Sequence, residues 1–211
     1  MRIAHRLSRS FSDRASRFAM GRSLARGGVA HAQNISSWTT PGELRALYAL
    51  GLSCSKEALA LEIGSYLGAS TCYIAAGLSQ VGGHLYCVDT WQNETMPEGE
   101  RDTFAEFNRN IYPLSDHITI VRKRSEDLNG SDIPNGLSLV FIDGDHSYQA
   151  VKQDFERILP FLAEDGVVAF HDVICYQGVS RVIGEALASG TWKVLGHFSN
   201  LLWIKRSQWE Q

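Results

Sequence analysis

Leu137 to Val173 read LSLVFIDGDHSYQAVKQDFERILPFLAEDGVVAFHDV, and this stretch decides the fold class. Leu137 to Ile142 is a short apolar run that suits a strand buried on both faces, Ser138 notwithstanding. Tyr148 to Leu162 has helical spacing, and Val167 to Phe170 is a second buried strand. A strand, a covering helix and another such strand make one parallel crossover unit. Both strands run directly into ionisable residues, Asp143-Gly144-Asp145-His146 after the first and His171-Asp172 after the second. Ligands of open parallel sheets bind beyond the carboxyl ends of the strands, so these two segments mark where a site belongs.

The same alternation continues in both directions. Upstream, Ala58 to Ile63 is a strand, Ser70 to Leu78 a helix, His84 to Val88 a strand, Thr103 to Ile111 a helix and Ile118 to Val121 a strand. Thr40-Pro41-Gly42-Glu43 precedes them as a capping box with proline at the first helical position, opening a helix to about Leu52. Downstream come a helix over Gln177 to Leu187 and two strands, Trp192 to Phe198 and Leu201 to Ile204, joined by the tight turn Ser199-Asn200. The expected fold is a single α/β domain: a mostly parallel seven-stranded sheet with an antiparallel C-terminal edge and helices on both faces.

Length and composition agree. A chain of 211 residues, 44% hydrophobic and 20% charged, supports one good core. No apolar run approaches the ~20 residues that cross a bilayer. The four cysteines (Cys54, Cys72, Cys87, Cys175) form no close pair, which points to reduced thiols and a cytoplasmic setting. Seven arginines precede residue 27, opposed by Asp13 alone, yet the whole chain carries a net charge of −3. The remainder is therefore strongly acidic, which argues against nucleic acid as a partner. Ile3, Leu7, Phe11, Ala15 and Phe18 line one helical face inside that basic segment. Residues 1–35 are expected to form an arm, and residues 36–211 the domain. The arm reads as a lid or homo-oligomerisation element, a basic helix on a membrane surface, or a transit peptide.

Four strand ends carry carboxylates and no lysine or arginine: Glu62-Ile63-Gly64-Ser65, Asp89-Thr90-Trp91, Asp143-Gly144-Asp145-His146 and His171-Asp172. Such a rim repels a pyrophosphate, and the G-x-G-x-x-G turn of dinucleotide enzymes is missing. It suits a cofactor with an ammonium, a sulfonium and ribose hydroxyls, as in S-adenosylmethionine. An acid at position 89 can hold the ribose.

EIGSYLGAST (Glu62 to Thr71), VDTW (Val88 to Trp91), FIDGDHSY (Phe141 to Tyr148) and AFHDV (Ala169 to Val173) together resemble the class I S-adenosylmethionine-dependent methyltransferases, with a Rossmann-like fold. They are most similar to the bacterial branch containing macrolide- and aminocoumarin-sugar O-methyltransferases and cephalosporin hydroxylase-like proteins. The resemblance covers roughly Trp38 to Lys205. It implies that Glu62, Gly64 and Ser65 meet the methionine part of the cofactor, Asp89 the ribose, and Trp91, Ser125 and Glu126 the adenine. Trp91 equally suits a core aromatic, and Ser125 a cap of a short helical turn. The resemblance also implies a divalent metal on Asp143, His171 and Asp172, with Mg²⁺ first and Mn²⁺ or Fe²⁺ as alternatives. His171 departs from the commoner Asp or Glu at that position, so a metal-free site with a histidine base stays open. Asp145 and His146 are the candidate bases. The expected reaction is methyl transfer to a hydroxyl of a small molecule or sugar. A Rossmann oxidoreductase and a non-catalytic cofactor-binding assembly module are the rivals. The acceptor pocket is expected to draw on the arm, the region after Val173 and a cover spanning Gln92 to Arg101.

Overall fold

A computed structural model describes residues 20–25, 27–94 and 98–207. The helical face from Ile3 to Phe18 lies outside the described residues. Seven strands form one sheet in the order β3-β2-β1-β4-β5-β7-β6: β1 (Leu59–Ile63), β2 (His84–Asp89), β3 (Ile118–Arg122), β4 (Leu137–Ile142), β5 (Leu162–Phe170), β6 (Trp192–Phe198) and β7 (Leu201–Arg206). The first five run parallel, and β7 lies antiparallel between β5 and β6. Chain order reverses between β1 and β4, which places the switch-point crevice at the ends of these two strands.

Five helices flank the sheet: α1 (Pro41–Leu52), α2 (Ala69–Ser79), α3 (Phe104–Ile111), α4 (Tyr148–Ile158) and α5 (Gln177–Ala188). The capping box of α1 is present, with Thr40 and Glu43 bonding reciprocally. Helix α2 is buried from Ala69 to Leu78, as expected of a helix apolar on every side. It crosses α1 where Gly51 faces Gly77. A Cβ at Gly77 would strike the Tyr48 carbonyl, and one at Gly51 would stand 2.7 Å from the Ile74 carbonyl oxygen.

One expected boundary changes. Helix α4 ends at Ile158 and not at Leu162, because Pro160 has no N–H to donate to the helix. Leu162 instead opens β5, opposite Leu137, with a bulge before Leu139 pairs Val167. Part of the segment expected as an arm packs against the domain. Residues 20–25 are helical, and Leu24, Val29 and Ala32 join the core cluster on the α2 side of the sheet. Arginine and glycine around these few apolar residues mask them in the sequence. Among the described residues, no helix is long and apolar enough to cross a membrane.

Candidate active site

A cavity of about 790 Å³ opens at the carboxyl ends of β1 to β5. Gly64, Ser65, Asp89, Ser125, Glu126, Asp143, Asp145, His146, His171 and Asp172 all line it, so one mouth gathers residues drawn from five strand ends. Glu62 and Trp91 do not line it.

The loop after β1 is held from two sides. Gly64 has φ +88° and passes so close to the Asp143 carbonyl that any Cβ would collide with it. Asp89 at the end of β2 accepts three backbone amides: Ser65 (2.8 Å) and Tyr66 (2.9 Å) on Oδ2, and Trp91 (2.7 Å) on Oδ1. That leaves lone-pair capacity chiefly on Oδ1 for a ligand hydroxyl. Glu62 is fully buried one layer behind the wall, its Oε2 accepting from the Ser65 (2.8 Å) and Thr71 hydroxyls. Its Oε1 is buried without a partner. Burial pushes the Glu62 carboxyl up, the Ser70, Thr71 and Ser65 hydroxyls pull it down, and the outcome is about 7. Glu62 therefore positions the loop and does not itself reach the cavity. Trp91 belongs to the core: it is 0% exposed and packs on Phe107 and Phe104 at ring distances of 4.6 and 5.2 Å. Its backbone adopts φ +54°.

At the end of β3, Ser125 begins a 3₁₀ turn to Asp127, whose N-cap is Arg124, so Ser125 does not cap it. The neighbouring cations are spent: Lys123 pairs with Asp132, and Arg124 grips both Glu94 oxygens at 2.7 and 2.8 Å. The described parts of the expected cover are tethered, Asn93 Nδ2 donating to the Gly99 carbonyl at 2.7 Å and Arg101 N to the Gln92 carbonyl at 3.0 Å.

Between β4 and β5, Asp143, His146 and Asp172 bring one ligand atom each within 4.8 Å of one another. His146 Nε2 stands 3.2 Å from Asp172 Oδ2 and 3.5 Å from Asp143 Oδ1, buried and aligned for a hydrogen bond with neither. A nitrogen facing two carboxylates without a shared proton is the donor arrangement a divalent ion needs. The His146 ring stacks on Tyr176 at 4.3 Å.

The cluster that could hold an ion thus joins Asp143 and Asp172 to His146, whereas the resemblance implied His171 beside the same two aspartates. His171 is buried (3%) among three carboxylates: Asp143 Oδ1 at 3.2 Å and Asp172 Oδ2 at 3.6 Å from Nδ1, and Glu43 Oε2 at 3.4 Å from Nε2. Burial alone would lower its pKa, but Asp143 and Asp172 outweigh it and push it up to about 11. A positive charge on His171 would offset the acids crowded around it. Asp145 is exposed, with Oδ1 accepting from Ser147 N at 2.6 Å.

Two residues complete the cluster that the sequence reading did not single out for it. While keeping its capping box, Glu43 accepts Asn200 N on Oε1 at 2.8 Å and faces His171 with Oε2. Hydrogen bonds from Thr40 and Asn200 hold it ionised against the upward push of burial. Asn200, in the β6–β7 turn, donates Nδ2 to Asp172 Oδ1 at 2.5 Å and accepts from Ile174 N at 2.6 Å. That grip fixes Asp172, whose φ of +60° is unusual for a residue with a side chain.

Comparison with known proteins follows the same lines. A family model described as a methyltransferase domain matches residues 61–173. A methyltransferase of Podospora anserina bound to S-adenosylhomocysteine superposes with a TM-score of 0.65 at 14% identity, over 94% of this chain and 96% of that one. An O-methyltransferase of Bacillus cereus, also holding S-adenosylhomocysteine, gives 0.62 at 17% identity, over 88% and 91%. The TDP-rhamnose 3′-O-methyltransferase of calicheamicin biosynthesis gives 0.56 at 16%, over 80% and 77%. Uncharacterized protein R132 of Acanthamoeba polyphaga mimivirus is 37% identical over 51 residues, which is 24% of this chain and only 23% of that protein.

Proposed function

Since this chain belongs to the methyltransferase-domain family matched over residues 61–173 and is an S-adenosylmethionine-dependent methyltransferase, we propose that it methylates a hydroxyl oxygen of a small, uncharged acceptor. The observation that carries this reading is the convergence of Asp143, His146 and Asp172 at the end of the cofactor cavity. Of the lysines and arginines among the described residues, only Lys123 and Arg124 line that cavity, and both are ion-paired. Phosphorylated acceptors therefore find no counter-charge there, whereas a sugar or phenol does not need one.

In this reading Gly64 and Ser65 meet the methionine part of the cofactor, Asp89 Oδ1 takes a ribose hydroxyl, and Ser125 and Glu126 border the adenine. Asp143, His146 and Asp172 would hold a divalent ion. When bound, such an ion draws in the acceptor oxygen and lowers the pKa of its hydroxyl. Methyl transfer is an in-line displacement: the acceptor oxygen forms a bond to the methyl carbon as the sulfonium–carbon bond breaks, leaving S-adenosylhomocysteine. Asp145 takes the hydroxyl proton on the oxygen that Ser147 N leaves free. Trp38 and Tyr176, which line the mouth, give the acceptor an aromatic wall to pack against. Holding donor and acceptor in near-attack geometry is the main catalytic contribution.

Titration calorimetry with S-adenosylhomocysteine and with NADH tests the cofactor. Saturable NADH binding without any response to S-adenosylhomocysteine overturns the reading. Mn²⁺ titration of wild type and of His146→Ala tests the ion: binding that survives in the variant removes His146 from the ligand set.

A further inference from the structure

Four large hydrophobic side chains stand exposed around the mouth of the cavity, beside the acidic cluster: Ile174 at 77%, Trp38 at 62%, and Tyr176 and Phe198 at 46% each. Trp38 and Tyr176 line the cavity itself. Ile174 is held at the rim by its own amide, which donates to Oδ1 of the lining residue Asn200 at 2.6 Å. Phe198 ends β6 next to the lining residue Ser199, and its ring lies where a Cβ on Gly42 would stand, one residue before the lining residue Glu43. An apolar band thus starts inside the cavity, at the Tyr176 ring stacked on His146, and continues outward toward the edge strand β6, where Val194 and Leu195 are also exposed. Apolar residues scattered singly over a surface are ordinary, but a row continuous with a cavity marks a surface that is covered in use.

The band and the acidic cluster meet at the Tyr176–His146 stack, so a molecule that brings a hydroxyl to the cluster meets the band as it leaves the cavity. We propose that the acceptor is amphipathic: a small, uncharged hydroxylated ring carrying an aliphatic chain, with the ring against Trp38 and Tyr176 and the chain laid across Ile174 and Phe198. This rests on the hydroxyl-methylating reading above and narrows it, because a bare sugar would leave the band in water. Ile174 and Phe198 then determine specificity without touching the reacting atoms.

The experiment titrates methylcatechol, butylcatechol and hexylcatechol, each alkylated para to one hydroxyl, into the full chain saturated with S-adenosylhomocysteine and Mn²⁺, by calorimetry. Each methylene laid on the band should tighten binding about two- to fourfold, so hexylcatechol should bind at least about 30-fold more tightly than methylcatechol. In Ile174→Ser and in Phe198→Ser that ratio should fall about threefold or more, because each substitution removes apolar area beneath the chain. Ile174 is too exposed for its replacement to prevent folding. Tyr112→Ser, whose exposed ring precedes β3 at the opposite edge of the sheet, should leave the ratio unchanged. A wild-type ratio near one, or no binding of any of the three while S-adenosylhomocysteine binds, overturns the proposal and leaves the methyltransferase reading intact. A large ratio that neither Ile174→Ser nor Phe198→Ser lowers does the same. Sedimentation showing a dimer that Phe198→Ser dissociates assigns the band to a second copy and also overturns it. Failure of wild type to bind S-adenosylhomocysteine overturns the underlying reading, and this proposal with it.

Discussion

Replacing Glu62 by glutamine isolates the energetic cost of a buried acid behind the cofactor loop. In the unfolded chain Glu62 titrates near its ordinary 4.5, and in the folded protein near 7, because burial penalises its charge. An acid whose folded pKa is raised keeps its proton longer in the native state. Its contribution to stability is therefore intact at low pH, declines as pH rises from about 4.5 to about 7, and stays lost above that. The separation corresponds to about 3 kcal/mol, with no discount for solvent because the group is fully buried. Urea unfolding of wild type and Glu62→Gln at intervals from pH 5 to pH 8 gives the difference directly, and other titrating groups cancel in the subtraction. Glutamine keeps one oxygen to accept from Ser65 and Thr71, so its own cost does not depend on pH. Wild type should lose about 2–3 kcal/mol relative to the variant across that range. Parallel curves would refute the argument, because they would mean that Glu62 is ionised throughout or that Oε1 has a donor.

Asn200→Ala removes the donor to Asp172 and the acceptor of Ile174 N. The methyl-transfer rate should fall about 10- to 100-fold and the stability by only about 1–2 kcal/mol, as read by steady-state kinetics and urea melts. Gly77→Ala would gain about 1 kcal/mol from helix propensity alone, but the Cβ meets the Tyr48 carbonyl, so a net loss of about 1–3 kcal/mol is expected from chemical denaturation. Trp91→Phe should leave S-adenosylhomocysteine affinity within about twofold while lowering the melting temperature, since the indole packs in the core and not on the ligand.

Most of the sheet was legible because its strands are short apolar runs closed by glycine or acidic residues, and a doubly covered parallel sheet needs that pattern. The end of α4 was misplaced because Pro160, which stops it, was under-weighted. Leu24, Val29 and Ala32 are enough to pack part of the arm segment against the domain. At the site, the motif residues after β1, β2, β4 and β5 do converge. Their division of labour was hidden, because it is set by depth. Glu62 lies one layer behind the wall that Gly64 and Ser65 form, and His171 is more deeply buried than His146; one-dimensional spacing carries no depth. Glu43 was readable as a cap, but its partners His171 and Asn200 stand 128 and 157 residues away.

Glu43 makes the order of assembly matter. One carboxylate closes the first turn of α1 and, from the same atoms, fastens the β6–β7 turn and the histidine that neutralises the acids. Fraying of that turn would not remain a local event, because the freed glutamate would release Asn200 and leave His171 with one counter-ion fewer. A chain beginning after residue 43 could still complete its sheet, but it would do so with its acidic groups mutually repelling and Asp172 unsteadied. Catalytic competence is thus coupled to the docking of α1, and quenching of activity should precede loss of the sheet whenever this end of the domain loosens first.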